Sequence, residues 1–166
     1  MRALLRTLLG GAFLALAATP GQAEEATFDS PSLVPELAVK AAKEAVKACR
    51  EREAQVTAAV VDGGGNTQAL MRARYAGPHT VDTAISKAWT AVSFRTDTVE
   101  LGDITEPGQA GYGIQHLSGV TILGGGKQIM VDGRIAAGIG VSGAPSGEID
   151  DECATAGIDA IREDLL

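Results

Sequence analysis

The chain has 166 residues, is 45% hydrophobic and carries a formal charge of −7. That length suits one domain with one core. An acidic surface without a basic stripe excludes nucleic acid as a partner.

The N-terminal segment reads as a secretory leader. Arg2 and Arg6 make a positive start, and Leu8 to Ala18 is an apolar run too short to span a bilayer comfortably. Gly21 and Ala23 put small residues at the −3 and −1 positions of a cleavage site before Glu24. The expectation is a leader over 1–23 and a single domain over 24–166, exported to the periplasm or beyond. Loss of the two arginines would take the charge from −7 to −9.

Glu24 to Asp29 is polar and frayed. A helix follows from a Ser30 or Ser32 cap to about Glu53, with Leu37, Ala41, Val46 and Cys49 on its apolar side. Gln55 to Asp62 and Thr67 to Arg74 read as antiparallel strands around the loop Gly63-Gly64-Gly65-Asn66.

Gly77-Pro78 then marks a turn, and Thr80 is placed to cap the central helix, which ends near Arg95. Val81, Ile85, Ala88 and Val92 recur at helical spacing and form the stripe expected to face the core. Thr83, Lys87, Thr90 and Phe94 share the other face, expected to be a pocket wall or a subunit contact. Asp97 and Glu100 fit a capping box for a short helix, Thr98 to about Gly102.

Asp103 to Ser118, with Pro107, Tyr112 and His116, is irregular and suits a loop that closes over something. Gly119 to Leu123 reads as a short buried strand. Gly124-Gly125-Gly126-Lys127 lacks the spacing of a phosphate loop, which removes a nucleotide site there. Gln128 to Val131 and Arg134 to Val141 flank Asp132-Gly133, a two-residue hairpin signal. Gly138 and Gly140 imply that something approaches that strand closely, or that it bends. Ser146 caps the last helix. Glu148, Asp150 and Asp151 complement its positive end and are not read as a metal site.

The order predicts an α+β domain with five antiparallel strands and helices packed on them. Cys49 and Cys153 lie far apart in sequence, in a domain large enough to need no staple. They are read as buried free thiols, although export would permit a bond.

Three stretches, VVDGGGN, AGPHTVDTAISKAWTAVSF and TILGGGKQIMVDGRIAAGIGVSGAPSGEIDDECATAG, in this order, resemble the GlcG/HbpS family. That family is also found as the C-terminal domain of PduO-type adenosyltransferases. The resemblance covers nearly all of the chain after the leader. It implies a profilin-like fold with a five-stranded sheet, higher oligomers, and haem as the ligand of secreted members, some of them partnered by a membrane sensor. Family sequences often read R-x-D-G-A where this chain has Arg72-Ala73-Arg74-Tyr75-Ala76. The exchange makes the pocket mouth more basic and aromatic.

A haem site needs an axial ligand, an apolar slot and cations for the propionates. His79 and His116 are the candidate iron ligands, with Tyr75, Tyr112 and Thr90 as weaker oxygen donors. Arg72, Arg74 and Lys87 could hold carboxylates. Arg72, Arg74, His79, Lys87 and Thr90 are expected to converge on one cleft beside the start of the central helix. The expected function is an exported haem-binding module, serving haem degradation, iron handling or redox sensing. The alternative is a non-redox module for a small carboxylate, received by Lys87 and helix N-termini. No Ser-His-Asp order or H-E-x-x-H pattern supports a hydrolase.

Overall fold

The hairpin signals decide the sheet. In the computed structural model, which describes residues 26–165, Thr57–Asp62 (β1) and Thr67–Arg72 (β2) pair antiparallel. Gly126–Val131 (β3) and Arg134–Ser142 (β4) do the same around Asp132 and Gly133. Both turn residues have positive φ, 48° and 74°, as the tight hairpin requires. β1 also pairs with β4, giving the order β2-β1-β4-β3.

The helices are Pro35–Glu51 (α1), Thr80–Phe94 (α2), Thr98–Ile104 (α3) and Gly147–Asp159 (α4), with short 3-10 helices at Tyr112–His116 and Arg162–Leu165. α1 and α4 pack on one face of the sheet and α2 on the other. The main core lies between α1, α4 and the sheet, around Val46, Val60, Ile129, Ile139, Val141 and Ile161. The leader expected over 1–23 lies outside the described residues. Among those described, no helix is long and apolar enough to cross a membrane.

The α+β class, the antiparallel sheet and the flanking helices match the expectation. The fifth strand does not: residues 119–123 form no ladder, and the sheet has four strands. Gly119 sits at φ 82°, and the amide of Thr121 donates to Thr90 Oγ1 at 3.0 Å, so this backbone bonds to a helix side chain instead of a strand.

The face of α2 also needs correction. Its buried residues are Thr80, Ala84, Lys87, Ala88, Thr90, Ala91 and Val92, while Val81 and Ile85 are only half-buried. The reason lies in β4. A Cβ on Gly140 would come within 2.0 Å of Ala84 O, and one on Gly138 within 2.7 Å of Ala88 O. The close approach expected at these glycines is the backbone of α2 itself. At that separation alanines fit and larger side chains are pushed to the flanks.

Three caps differ from expectation. Neither Ser30 nor Ser32 caps α1, which starts at Pro35 after Val34 with no side-chain cap. Thr80 is the first helical residue rather than the cap, and its buried hydroxyl donates to Gly77 O at 2.7 Å. That leaves Thr57 as the donor in the 2.7 Å Thr57–Thr80 hydroxyl pair. Asp97 does not cap α3; its Oδ1 accepts from the amide of Gln128 at 3.0 Å and so closes the edge of β3. Ser146 caps α4 as expected, accepting from the amide of Ile149.

The cysteines are joined, not free. α1 and α4 meet where Gly157 lies against Ala41 O, and this brings the Cα atoms of Cys49 and Cys153 to 5.4 Å. The bond spans 104 residues, so loop entropy in the unfolded chain assigns it about 4 to 5 kcal/mol. Size made a staple unnecessary, but helix packing permits one.

Candidate functional site

The chain leaving β2 turns at Arg74 and Tyr75, passes Gly77 and Pro78, and enters α2. On the other side, the chain leaving β4 turns at Gly143, held at φ 126°, and enters α4 at Ser146. Between these two strand-to-helix connections lies a cleft of about 570 Å³. Its lining includes Tyr75, His79, Thr83, Lys87, Pro145 and Asp150. Such a volume is in the range of small-ligand sites.

Lys87 forms the floor, and it is 2% exposed. Its Nζ donates to Asp150 Oδ2 at 2.8 Å and to Val141 O at 2.8 Å. Asp150 is 4% exposed, and its Oδ1 accepts from the amide of Ala144 at 3.0 Å. Burial pushes the Asp150 carboxyl above its ordinary range, opposed by Lys87 and by the amides of Ala144 and Gly143. Gly125 seals this pair: at φ 110°, a Cβ there would sit 2.7 Å from Asp150 Cβ and 3.2 Å from Lys87 Nζ. The triple-glycine run is thus a packing device over a buried ion pair.

A second cluster lies beside α3. Burial alone would depress the Lys127 ammonium, but the carboxylates of Asp97 and Asp151 overcome this and hold it above its ordinary range. Its Nζ lies 2.9 Å from Asp97 and 3.0 Å from Asp151, so these acids have a structural partner. Among the described residues, no group of three or more His, Cys, Asp or Glu could hold a metal ion.

The structure brings together only part of the predicted site. His79 and Tyr75 are exposed at the mouth of the cleft, and Lys87 is at its floor. The exposed imidazole of His79 lies against Gly77, where a Cβ would stand 2.7 Å from its Cε1. Lys87 is engaged by Asp150, so it is not a free receptor for a carboxylate, which removes the main support for the small-carboxylate alternative.

Arg72, Arg74 and Thr90 do not line the cleft. β2 ends at Arg72, so Arg74 lies in the following turn and the alternation that would align the two arginines is broken. The Arg72 guanidinium donates to Ala76 O and braces the connection. Thr90 is fully buried and accepts from Thr121. His116 and Tyr112 lie on the 3-10 helix, with ring centroids 5.5 Å apart and planes near perpendicular; neither lines the cleft.

Sequence reasoning missed Asp150 as a site residue. The sequence carried no signal for it: spacing puts Lys87 on the open face of α2, and only its burial calls for a buried counter-charge. The acids of the last helix were the nearest supply, but the helix dipole explained them too well.

The domain is thus a three-layer α+β fold with a strand-to-helix cleft, a histidine at its mouth and a sealed ion pair at its floor. Residues 33–159 match the profile of the family described as haem degrading protein HbpS-like, and the chain belongs to that family. HbpS from Streptomyces reticuli, solved as a Glu-to-Asp double mutant, is 37% identical with a TM-score of 0.74, covering 91% of this chain and 99% of that one. A crystallised complex of the PduO C-terminal domain with haem is 35% identical, TM-score 0.74, covering 78% of this chain and 95% of that one. The corrinoid adenosyltransferase PduO of Salmonella typhimurium is 38% identical over 120 residues, which are 71% of this chain and 35% of that protein. The chain thus spans about a third of the length of that relative.

Proposed function

We propose that this chain binds haem in the cleft at the start of α2, with His79 presented to the iron. The observation that carries the reading is an exposed imidazole at the mouth of a cleft of about 570 Å³, in a chain 35% identical to a domain crystallised with haem. The donor set fits at the iron: an unencumbered imidazole is a haem ligand, and the Tyr75 phenol beside it is an oxygen donor. The apolar wall comes from Ala54, Leu123, Ala144 and Pro145. The propionate clamp expected from Arg72, Arg74 and Lys87 is not assembled in the cleft. Haem, when bound, supplies redox chemistry at iron. The protein residues supply a nitrogen donor, an apolar wall and a rigid floor.

Export to the periplasm or beyond is part of the proposal and is supported by the leader-like segment before Glu24. So is assembly into a homo-oligomer. Of the face first assigned to that contact, Lys87 and Thr90 are buried within the chain and Thr83 lines the cleft. The half-buried flank Val81 and Ile85, with Leu70 at 40% exposure, takes its place as the supporting surface. Oxidative haem degradation and redox sensing with a membrane partner rest on family resemblance.

Hemin titration followed at the Soret band tests the reading. The wild type should bind saturably. His79→Ala should bind at least about tenfold more weakly with a shifted band, since even outer-shell partners of a metal cost that much. His116→Ala should behave as wild type. An unchanged spectrum and affinity for His79→Ala would remove the ligand assignment.

A further inference from the structure

At the other end of α2 lies a larger cleft, of about 870 Å³. It is bounded by the β1–β2 hairpin, the β3–β4 hairpin, the C-terminus of α2 and the segment Phe28–Pro31. Two guanidinium groups from different elements line it, Arg95 just after α2 and Arg134 at the start of β4. Among the described residues neither makes an ion pair, in a chain of charge −7. The acids in the neighbouring turns are engaged or face elsewhere. Asp62 accepts from the amides of Gly64 and Asn66, each at 2.9 Å, and Asp132 does not line this cleft but a neighbouring hollow that shares Gln128 and Met130 with it.

The rest of the wall is mixed: Ser30, Ser93 and Gln128 are polar, and Trp89, Val92, Met130 and Ile135 make an apolar strip. Trp89 is pinned across the hairpin, where a Cβ on Gly65 would stand 2.5 Å from its Cδ1. Between Ile129 and Met130 the pairing with β4 jumps from Ala137 to Ile135, so Ala136 is the extra residue of a β-bulge. The bulge turns Ile135 to the α2 side, where it packs with Val61 and Val92 and joins the cleft lining. Bulges re-aim side chains in this way next to functional sites.

Arg95 adds an independent observation. It occupies the left-handed position that ends α2, φ 55° and ψ 41°, with its amide bonded to Ala91 O. That position is normally glycine or asparagine, because a Cβ there costs about 1 kcal/mol or more. A strained backbone that delivers a cation into a cleft is an outlier with a use.

We infer that this cleft is a second ligand site, for a small organic anion with a flat apolar body, of the aromatic carboxylate class. Arg95 and Arg134 pair with the anionic group by charge-assisted bonds. Trp89, Val92, Met130 and Ile135 cover the apolar body. This site is separate from the His79 cleft and does not depend on haem.

The test uses 8-anilinonaphthalene-1-sulfonate as the probe and Trp89, the single tryptophan of the chain, as the reporter. Saturable binding should raise probe emission and quench Trp89. Arg95→Gln with Arg134→Gln should weaken binding at least tenfold, and Arg95→Lys should weaken it less. His79→Ala should leave it unchanged. Excess 2-naphthoate should displace the probe, and neutral 2-naphthalenemethanol should not. The inference is overturned if saturable binding is absent. It is also overturned if the glutamine double variant, folded by circular dichroism, binds as the wild type does, or if the neutral alcohol competes equally.

Discussion

At the middle of α2, Lys87 is sealed inside the domain with Asp150 and Val141 O as partners. At its C-terminal end, Arg95 and the facing Arg134 line an open cleft without an ion-pair partner among the described residues. One helix thus holds cations in two opposite conditions. Lys87 is at the floor of a cleft, yet its charge is already balanced, so its role is to hold the strand-to-helix connections in place. The arginines lie at the surface, yet they are the ones left free to meet a ligand. Proximity to a cavity does not identify a recognition residue; the state of its hydrogen bonds does.

The sharpest way to break this contrast is to remove Asp150. Asp150→Ala would strand the Lys87 ammonium in the interior and should destabilise the domain by about 3–5 kcal/mol at neutral pH. Adding Lys87→Met should restore most of that loss, because an unpaired charge is what costs, not the missing pair. Urea unfolding of the three variants measures both steps. An Asp150→Ala protein within 1 kcal/mol of wild type would mean that the charge reaches water and the floor is not sealed.

A smaller effect probes the carboxylate beside the arginine cleft. The backbone amide of Asn66, helped by the Asn66 side chain and the amides of Gly64 and Gly65, overcomes the cost of burial and holds Asp62 below its ordinary pKa. A depressed carboxyl contributes stability that is present above its ordinary value, about 3.9, and is lost as pH falls through the folded value. Asp62 is half-buried at the end of β1 and still reached by solvent, so the contribution is screened to about 1 kcal/mol. Asp62→Ala should therefore be about 1 kcal/mol less stable than wild type at pH 7, and the gap should close in acid. If Asp62 instead paired with the arginines, added salt would shrink the gap at pH 7; paired with its own turn, the gap should persist in salt.

Much of this was legible in the chain. Turn chemistry placed both hairpins, since Asp132-Gly133 and the glycines after Asp62 leave the backbone few options. Ser146 marked the start of α4. The glycine-rich strand announced a close approach. What failed were features set by partners distant in sequence. Hydropathy chose Val81 and Ile85 for the core because they are large. Ala88 and Val92 of the same stripe are buried as expected, but the glycines of β4 brought in Ala84 because it is small. The pairing of Lys87 with Asp150, 63 residues apart, has no local signature. Nor has the meeting of Cys49 with Cys153, which depends on two helices crossing at Gly157. Of the candidate residues, His79 and Tyr75 line the cleft, as their place before α2 allows. Arg74 was misplaced because β2 ends two residues earlier than its pattern suggests.

The smallest effect bears most directly on the arginine cleft. Arg95→Gly removes a Cβ from a left-handed position, and glycine takes that conformation without steric cost. Against this stands the greater entropy that glycine gives the unfolded chain. The strain is the larger of the two, at about 1 kcal/mol or more, so the variant should be slightly more stable than wild type, by about 0.5 kcal/mol. The same variant should lose affinity for the sulfonate probe. A residue that costs stability while serving a ligand is the usual exchange at a binding site. Paired measurements by thermal unfolding and probe titration give the answer. Should Arg95→Gly lose stability as well as affinity, the guanidinium would be a structural cap of α2, and Arg134 alone would remain to receive the anion.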